Sequence, residues 1–305
     1  MAQIFEQLIN GLVLGGIYAL IAVGYTMVYG IIQLINFAHG EIYMFGAYIA
    51  LMLITVFGIP FWIALPFSML LCAILGMLID FVAYRPLRNA PRLSALITAI
   101  GISLALQNLA RMIWSARPRQ FPSESLPSFF LSEVTKTGEV INAIPLPGGG
   151  ILPFRDVFIL FLAIVLMIVL NMLIYLTKIG KAMRACAQNA VAANLMGIRT
   201  NQVIAVTFAI GSALGAVAGI MVGLSEVVTP TMGYHKGVAA FAAAVLGGIG
   251  SISGAIFGGL VIGIAEVFGA DIHSGYRIAF AYIIMILVIL IRPSGLFGKS
   301  TSTRA

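Results

Sequence analysis

Four polar or ionisable side chains lie close together in a hydrophobic stretch of the sequence. Residues 30–47 read GIIQLINFAHGEIYMFGA, and the four are Gln33, Asn36, His39 and Glu41. Ionisable groups are costly at membrane depth, and those that occur there face a bundle interior or a water-filled path. The stretch therefore predicts one of two arrangements. Either it breaks a membrane span, so that Asn36 caps the inner part and the polar groups line a substrate path, or it forms a surface turn in which His39 and Glu41 are in water.

The composition places these side chains in a membrane protein. Of the 305 residues, 61% are hydrophobic and only 9% are charged, and the mean hydropathy is +1.08. Soluble domains have about 25% charged residues, so this composition excludes an ordinary globular protein. Apolar runs long enough to cross a hydrocarbon core of about 30 Å recur along nearly the whole chain. Because so many runs follow the first one, and no basic region precedes it, we expect a retained span there rather than a signal peptide.

The apolar runs predict an all-α polytopic bundle of about eight or nine spans. Only helices and closed barrels satisfy backbone polar groups in lipid, and these runs are too continuous for the alternating pattern of barrel strands. The predicted spans are residues 5–29, 40–58, 61–84, 93–115, 157–177, 203–224, a glycine-rich pair within 238–270, and 276–291.

The positive charge is concentrated in three segments that contain no acidic residue. Residues 85–92, 178–202 and 292–305 hold ten of the seventeen Lys and Arg residues, whereas 116–156 has four basic and four acidic residues. The positive-inside rule places the three basic segments in the cytoplasm and the balanced segment outside. Because the number of spans within 238–270 is not fixed by the sequence, the side of the N-terminus stays open.

The basic segment 178–202 has the pattern of a short helix at the membrane surface. Apolar residues recur at every fourth position beside a polar strip, and a glycine follows where a helix C-cap is expected. A helix this short is marginal in water and gains stability by packing against the protein itself, lipid headgroups or a second protein. The apolar positions are Met183, Ala187, Val191 and Leu195, the polar strip contains Arg184 and Gln188, and the glycine is Gly197.

Glycines at every fourth residue predict close packing of helices. Small residues at this spacing let two backbones approach in lipid, so their role is structural rather than chemical. The sequence GGIGS at 247–251 predicts a helix break or a re-entrant turn, because clustered glycines weaken a helix. The glycines of the pattern are Gly211, Gly215, Gly219 and Gly223 in one span and Gly250, Gly254 and Gly258 in the next glycine-rich region.

The same pattern predicts an internal repeat. The stretches 30–47 and 237–263 each follow a glycine-containing span, and each places a polar or glycine-rich break before a span of small residues. Duplicated halves around a path at the membrane midplane are common in transporters. We therefore expect a single membrane domain with broken or re-entrant segments and half-repeats at about 10–115 and 157–292.

The sequence contains no motif for a chemical reaction. No pair of histidines or cysteines has the spacing of metal ligands, and no nucleophile arrangement, phosphate-binding loop or dinucleotide-binding glycine motif occurs. The acidic residues near span ends predict local ion pairs, such as Asp80 with Arg85. We expect a protein that is not an enzyme and binds no metal or cofactor of its own.

The sequence resembles the permease subunits of branched-chain amino acid ABC importers, in particular the H-type subunit. The resemblance covers nearly the whole chain and is carried by NGLVLGGIYALIAVGYTMVYGI, INFAHGEIYMFGAY, YRPLR, GKAMRACAQNAVAANLMGI and AAAVLGGIGSISGAIFGGLVIG. It implies a permease domain of the bacterial inner membrane, formed by residues 1–305, that pairs with a second, related permease subunit. It also implies two cytoplasmic subunits that hydrolyse ATP and a periplasmic binding protein that delivers leucine, isoleucine or valine.

The resemblance further implies roles for two segments outside the membrane. In such importers a short cytoplasmic helix of the permease seats in a groove of the ATPase, and 181–199 occupies the matching position. The outer segment 116–156 would dock the binding protein. Asn189 departs from the family, which often has an acidic residue soon after RACAQ. The residues implied at the ATPase contact are Gly180, Lys181, Arg184, Ala187, Gln188, Val191, Leu195 and Gly197.

The residues alone leave other functions open. A self-sufficient channel or ion-coupled carrier for small polar solutes would use Asn36, His39 and Glu41 as its path. An ABC permease for urea or short amides would have the same architecture, and a membrane scaffold would have no path at all. Path-lining and lipid-facing apolar residues look alike in sequence, so the sequence does not select the substrate.

Overall fold

The computed structural model describes residues 2–34, 36–88, 90–131, 133–134, 140–145, 151–273, 277–292 and 294–298. The fold is almost entirely helical, and a π-helical turn, Asp80–Tyr84, extends the third helix. In chain order the α-helices are α1 (Ala2–Ile32), α2 (His39–Thr55), α3 (Phe61–Ile79), α4 (Arg92–Trp114), α5 (Phe154–Leu176), α6 (Lys178–Gln188), α7 (Ala190–Leu195), α8 (Thr200–Ser225), α9 (Met232–Gly247), α10 (Ile252–Ile272) and α11 (Arg277–Ile291).

The segment between α4 and α5 carries two short antiparallel strand pairs. Strand β1 (Glu133–Val134) pairs with β2 (Val140–Ile141), and β3 (Ala143–Pro145) pairs with β4 (Ile151–Pro153). An isolated bridge joins Arg119 to Val228, with backbone hydrogen bonds of 3.0 and 2.8 Å. The segment is therefore attached to the connection between α8 and α9.

Among the described residues, six helical segments are long and apolar enough to cross a membrane. The prediction of an all-α polytopic membrane protein is therefore confirmed. Helix α2 and residues Ala279–Ile291 of α11 are shorter apolar helices. The six segments are Ile4–Ile32, Phe61–Tyr84, Leu93–Trp114, Phe154–Leu176, Thr200–Ser225 and Ile252–Asp271.

The helices differ in burial, which separates a central group from a peripheral one. The most apolar window of α1 is 94% buried and that of α8 is 67% buried, whereas those of α3, α4 and α5 are 28%, 33% and 22% buried. Nearly all of α2 is buried as well. Helices α1, α2 and α8 therefore form the core, and α3, α4 and α5 present apolar side chains to the surroundings, as membrane helices do.

Small residues bring the core helices into backbone contact. A Cβ atom at Gly15 of α1 would lie 2.7 Å from the Cα atom of Leu260 in α10. A Cβ atom at Gly219 of α8 would collide with the carbonyl oxygen of Tyr43 in α2. Spacings this short exclude any side chain, so glycine is required at both positions.

The predicted glycine positions do not all pack alike. Gly211 and Gly215 leave ordinary distances of 3.4 and 3.6 Å to Gly24 and His39, whereas Gly223 lies against the ring of Phe121, Gly254 against Gly247, and Gly258 against Ala243. Gly250 lies in the turn between α9 and α10 with φ +98°, and no described atom is within 4 Å of its Cβ position. Its role is therefore the turn, and the expectation that it packs helices is wrong.

Two pockets show which helix ends lie together. Residues Thr26 and Gly30 near the end of α1 line one pocket with Met183 of the basic α6. Asn10 near the start of α1 lines another with Arg155, at the start of α5. The positive-inside rule predicts that α6 lies in the cytoplasm, and with this pairing of ends it also predicts that α1 starts outside. We call the α6 side the inner end and the other side the outer end.

The segment 178–202 folds as two helices rather than one. Asn189 caps α7, because its side-chain oxygen accepts a hydrogen bond of 2.9 Å from the Ala192 N–H. The prediction of a single helix with one apolar face is therefore wrong: Met183 is buried, whereas Val191 and Leu195 are 72% and 84% exposed.

Gly197 ends α7 as predicted. Its φ of +83° is unfavourable for residues with a side chain. The N–H groups of Gly197 and Ile198 donate to the carbonyls of Asn194 and Ala193, each at 3.0 Å. This is the Schellman arrangement of a helix C-terminus.

Candidate functional site

Helix α2 begins inside the bundle and not at its surface. The turn after α1 includes Gln33, which is exposed and has φ +54°. His39, the first residue of α2, packs against Gly24 of α1 and lies near Gly215 in the middle of α8. His39 and Glu41 are 1% and 0% exposed. The alternative that placed these two side chains in water at a surface turn is therefore wrong.

Asn36 anchors the turn in a way that differs from the prediction. Its side-chain oxygen accepts a hydrogen bond of 2.9 Å from the Tyr84 hydroxyl. The N-cap residue of α2 is Ala38, and no side chain among the described residues caps this helix. The backbone carbonyl of Asn36, rather than its amide side chain, accepts from the His39 N–H at 3.0 Å. Asn36 therefore joins the turn to the end of the α3 extension, and Gln33 lies apart from the buried group.

Two neutral side chains of α4 hold the carboxylate of Glu41. The Ser103 hydroxyl and the Gln107 amide donate to Oε1 at 2.8 and 2.9 Å. The other carboxylate oxygen, Oε2, is buried and has no hydrogen-bond partner among the described residues. It lies against Gly233, where a Cβ atom would collide with it. We call Glu41, Ser103 and Gln107 the Glu41 cluster.

Sequence reasoning missed Ser103 and Gln107. They are four residues apart, so they lie on one face of α4. Two hydrogen-bonding side chains with this spacing in an apolar span were the available signal, because such groups face inward in lipid. The sequence did not indicate which helix they would meet.

A cavity of about 370 Å³ lies next to the Glu41 cluster. Ser103, Gln107 and Gly233 contact the carboxylate and also line the cavity. The ring of Phe241 packs 6.0 Å from that of Tyr25 and 5.4 Å from that of Phe37, measured between centroids. The lining residues are Tyr25, Phe37, Ile100, Ser103, Leu104, Gln107, Gly233, Tyr234, Gly237, Val238, Phe241 and Met285.

The first turns of α2 and α9 meet beside this cavity. A Cβ atom at Gly40 would collide with the carbonyl oxygen of Gly233, and one at Gly233 would lie 2.6 Å from that of Gly40. Each glycine is the second residue of its helix. The N-terminal ends of helices carry partial positive charge, so this contact concentrates positive potential inside the bundle.

A second polar cluster holds the start of α9. The Lys236 ammonium lies 3.0 Å from Oε1 of Glu226 and 3.9 Å from Oε1 of Glu266. The Tyr18 hydroxyl donates to Oε2 of Glu266 at 2.5 Å. Glu266 is 2% exposed, so its carboxylate is buried among these groups. We call Lys236, Glu226, Glu266 and Tyr18 the Lys236 cluster.

The inner end contains an ion pair that differs from the predicted one. Asp80 accepts from Arg88 at 2.7 Å, and not from Arg85. The Arg85 backbone N–H bonds to the Asp80 carbonyl, and its guanidinium lies over the Phe81 ring at 5.5 Å. The chain then turns, which brings Arg88 back to Asp80 and places it in a hydrogen bond with Asn201 at the start of α8.

Helix α6 folds back onto the end of α5. A Cβ atom at Gly180 would collide with the carbonyl oxygens of Leu173 and Ile174, and Arg184 donates to the Ile174 carbonyl at 2.5 Å. The Arg184 guanidinium also lies 5.1 Å from the centre of the Tyr175 ring.

The far side of the two short helices carries exposed apolar residues, and Lys181 and Gln188 are exposed with them. We call this region the α6–α7 surface, and its apolar members are Ala187, Val191, Leu195 and Met196.

Comparison with known proteins identifies the family. The sequence model of the family described as branched-chain amino acid transport system / permease component matches residues 7–291. The chain belongs to this family. The resemblance found in the sequence is therefore confirmed.

Individual relatives match the permease over nearly its full length. It is 42% identical to the high-affinity branched-chain amino acid transport system permease protein BraD of Pseudomonas aeruginosa, over 96% of this chain and 95% of that one. It is 43% identical to the corresponding protein LivH of Escherichia coli K12, with the same coverage. A more distant relative is LivM of the same organism, at 24% identity over 92% of the permease and 67% of LivM.

Proposed function

We propose that the permease forms the translocation path of an ATP-driven importer for leucine, isoleucine and valine in the inner membrane of a bacterium. The observation that carries this proposal is the similarity to BraD and LivH, at 42% and 43% identity over 96% of the chain. Both relatives are named as branched-chain amino acid transport permeases. The permease would hydrolyse no ATP itself and would bind no cofactor, because separate cytoplasmic subunits would supply the energy.

The α6–α7 surface is the contact that we propose for an ATPase subunit. Val191, Leu195 and Met196 are 72%, 84% and 83% exposed at the inner end. Exposed apolar side chains in a contiguous patch mark interaction sites. The close approach at Gly180 and the Arg184 hydrogen bond attach this surface to α5, so a push on it would reach the membrane helices. This proposal assigns a role in coupling to the ATPase to eight residues: Gly180, Lys181, Arg184, Ala187, Gln188, Val191, Leu195 and Gly197.

We also propose that the permease pairs with a related permease subunit and receives its substrate from a periplasmic binding protein. The similarity to LivM supports a related partner, because two homologous chains in one transport system can share an interface. The β-strand pairs before α5 lie at the outer end and would dock the binding protein. The bridge between Arg119 and Val228 ties this segment to the turn before α9, which gives docking a route into the bundle.

The contacts support two inverted half-repeats, α1–α4 and α8–α11, with α2 and α9 as re-entrant helices among about eight spans. Gly259 of α10 packs against Ala19 of α1, and Gly76 of α3 packs against Ser212 of α8, which would be the equivalent contact. The turn 33–38 before α2 would correspond to 226–231 before α9. The sequence pattern relates 30–47 to 237–263, whereas this alignment pairs 33–38 with 226–231. The two differ because this alignment is based on the contacts between helices.

Uptake by reconstituted vesicles tests the proposed function. Proteoliposomes that contain the permease, its partner permease and the ATPase subunits should take up labelled leucine only with ATP and binding protein. Vesicles with the permease alone should show no uptake under a proton gradient. Gradient-driven uptake by the permease alone would identify a self-sufficient carrier, and ATP-driven uptake of urea or acetamide but not of leucine would identify an amide importer.

A double variant tests the α6–α7 surface. Val191→Glu with Leu195→Glu should abolish ATP-driven uptake, because two carboxylates would replace the apolar contact. ATPase subunits should no longer co-purify with the permease. Val56→Glu is the matched control, because Val56 is 70% exposed in the turn after α2, at the opposite end. Normal co-purification and uptake in the double variant would contradict this coupling role.

A further inference from the structure

We propose that Glu41 binds the ammonium group of the transported amino acid and that the cavity beside it holds the aliphatic side chain. This inference rests on the proposed function in one respect, that the substrate is an apolar amino acid. It adds the residue that recognises the substrate within the membrane and the position of the site in the bundle.

The buried carboxylate of Glu41 can accept more hydrogen bonds than it receives. Glu41 is 0% exposed, and the two hydrogen bonds from Ser103 and Gln107 both go to Oε1. Oε2 has no hydrogen-bond partner among the described residues. A buried acceptor without a donor costs free energy, and a carboxylate costs more than a neutral group. A primary ammonium offers three donors and a positive charge, so it satisfies both requirements of this site.

The cavity beside the Glu41 cluster has the size and the lining of a small-molecule site. Its volume of about 370 Å³ lies within the range of about 300–1,000 Å³ that is typical of small-molecule sites. The walls combine the rings of Phe37 and Phe241 with Ile100, Leu104 and Met285. This apolar part of the wall favours an aliphatic side chain.

Polar groups that line the cavity connect it to the Glu41 carboxylate. Ser103 and Gln107 line it and donate to Glu41, so they form a layer one side chain thick between the cavity and the carboxylate. Gly233 and Tyr234, in the first turn of α9, line another part of the wall. The first N–H groups of a helix have no partner within it, and they favour an anionic group. The start of α9 therefore favours the anionic form of Glu41, and the site offers this carboxylate to the ammonium group of the substrate.

Glycines pack the starts of α2 and α9 directly together beside this carboxylate. A Cβ atom added at Gly237, which also lines the cavity, would lie 2.9 Å from Gly40. The Glu41 carboxylate therefore lies at the contact between the two helix starts.

The first test is uptake by the complete importer with Glu41→Gln, which keeps the size of the side chain and removes its charge. Leucine uptake should fall about tenfold or more, because a buried charge partner is lost. The ATPase subunits should still co-purify with this variant, because the α6–α7 surface that we propose for their contact is elsewhere. Glu6→Gln near the outer start of α1 is the matched control and should transport normally.

The second test is direct binding to the purified permease complex, measured as the shift in melting temperature. Leucine and 3-methylbutylamine should raise the melting temperature, whereas 4-methylpentanoate, which lacks the ammonium group, should not. Glu41→Gln should abolish the shift with the amine. Normal leucine uptake by this variant, or an amine-induced shift that survives in it, would overturn the role of Glu41.

The two proposals fail in different ways. If the unmodified importer takes up no leucine, isoleucine or valine, the proposed function is wrong. The binding test still decides the role of Glu41 in that case, because it uses the amine alone. If uptake is normal and Glu41→Gln does not reduce it, the proposed function holds and this inference is wrong.

Discussion

The starts of α2 and α9 have similar backbones and different chemistry. Each helix follows a non-helical turn and carries glycine as its second residue, and the two glycines, Gly40 and Gly233, are in contact. The start of α2 holds the carboxylate of Glu41 with neutral donors, whereas the start of α9 holds Lys236 between two carboxylates. Each helix start therefore carries a charge in its first turns, Glu41 as the third residue of α2 and Lys236 as the fifth of α9, and the neighbouring side chains decide what each charge does.

The difference separates a structural cluster from one that can take a ligand. In the Lys236 cluster the ammonium lies within 4 Å of two carboxylates, and Tyr18 adds a further donor to Glu266. In the Glu41 cluster one carboxylate oxygen has no partner among the described residues. A buried charge that has all its hydrogen-bond and ion-pair partners stabilises its surroundings. A buried charge that lacks a partner is stabilised when a ligand supplies one.

The largest effect should come from a side chain at the contact between the two helix starts. Gly40→Leu and Gly233→Leu should each prevent folding, because an added Cβ atom meets backbone rather than a movable side chain. Gly101→Leu is the control, since no described atom lies within 4 Å of its Cβ position on α4. Size-exclusion profiles in mild detergent should show a folded peak for Gly101→Leu alone. A folded peak for either of the other variants would contradict the tight contact.

The second-largest effect should come from removing a charge, and the change in stability should differ between the two helix starts. Lys236→Met should lower the stability by about 3–5 kcal/mol, because the buried carboxylate of Glu266 loses its cation. Adding Glu266→Gln should recover part of that loss. Glu41→Gln should leave the melting temperature unchanged or raise it, because it removes a charge that is not fully bonded. Melting curves in detergent measure all three variants.

Equal losses from Lys236→Met and Glu41→Gln would contradict the distinction between the two clusters. The comparison would also fail if Glu266→Gln recovered nothing in the Lys236→Met background. In that case the ammonium would stabilise α9 through Glu226 alone, and Glu266 would depend on Tyr18.

The sequence predicted the long apolar helices well, because lipid exposure imposes a long apolar run on each of them. The predicted span 93–115 corresponds to Arg92–Trp114, and 61–84 corresponds to α3 with its π-helical turn. Helix breaks are harder, because short-range side-chain bonds decide them. Asn189 divides the segment 178–202 by capping α7, which a fourfold apolar pattern does not reveal.

Contacts between helices could not be predicted from the sequence, because the residues that form them are far apart in the chain. The polar residues of 30–47 suggested a site, and Glu41 is buried as a site residue would be. Its partners Ser103 and Gln107 are more than sixty residues away in the chain. Asp80 likewise bonds to Arg88 instead of the nearer Arg85, since the turn after α3 reverses the chain. The ion pairs of Lys236 were not predicted, because the sequence does not distinguish a solvated cation near a span end from a buried one.

The smallest predicted effect compares one hydroxyl donor in each cluster. Ser103→Ala removes a donor from Glu41, and Tyr18→Phe removes one from Glu266. Each should cost about 1–3 kcal/mol, because both hydroxyls bond to buried carboxylates. The loss should be larger for Ser103→Ala, since Glu266 retains the Lys236 ammonium, whereas Glu41 retains only the Gln107 amide as a donor among the described residues.

A double-mutant cycle isolates the hydrogen bond from packing changes at the same position. Ser103→Ala in the Glu41→Gln background should cost less than in the unmodified protein, because the acceptor is no longer charged. Melting temperatures of the four proteins give the coupling directly. A cost of Ser103→Ala that is unchanged by Glu41→Gln would mean that the hydroxyl only fills space, and the Glu41 carboxylate would then be held by Gln107 and by the dipole of α2.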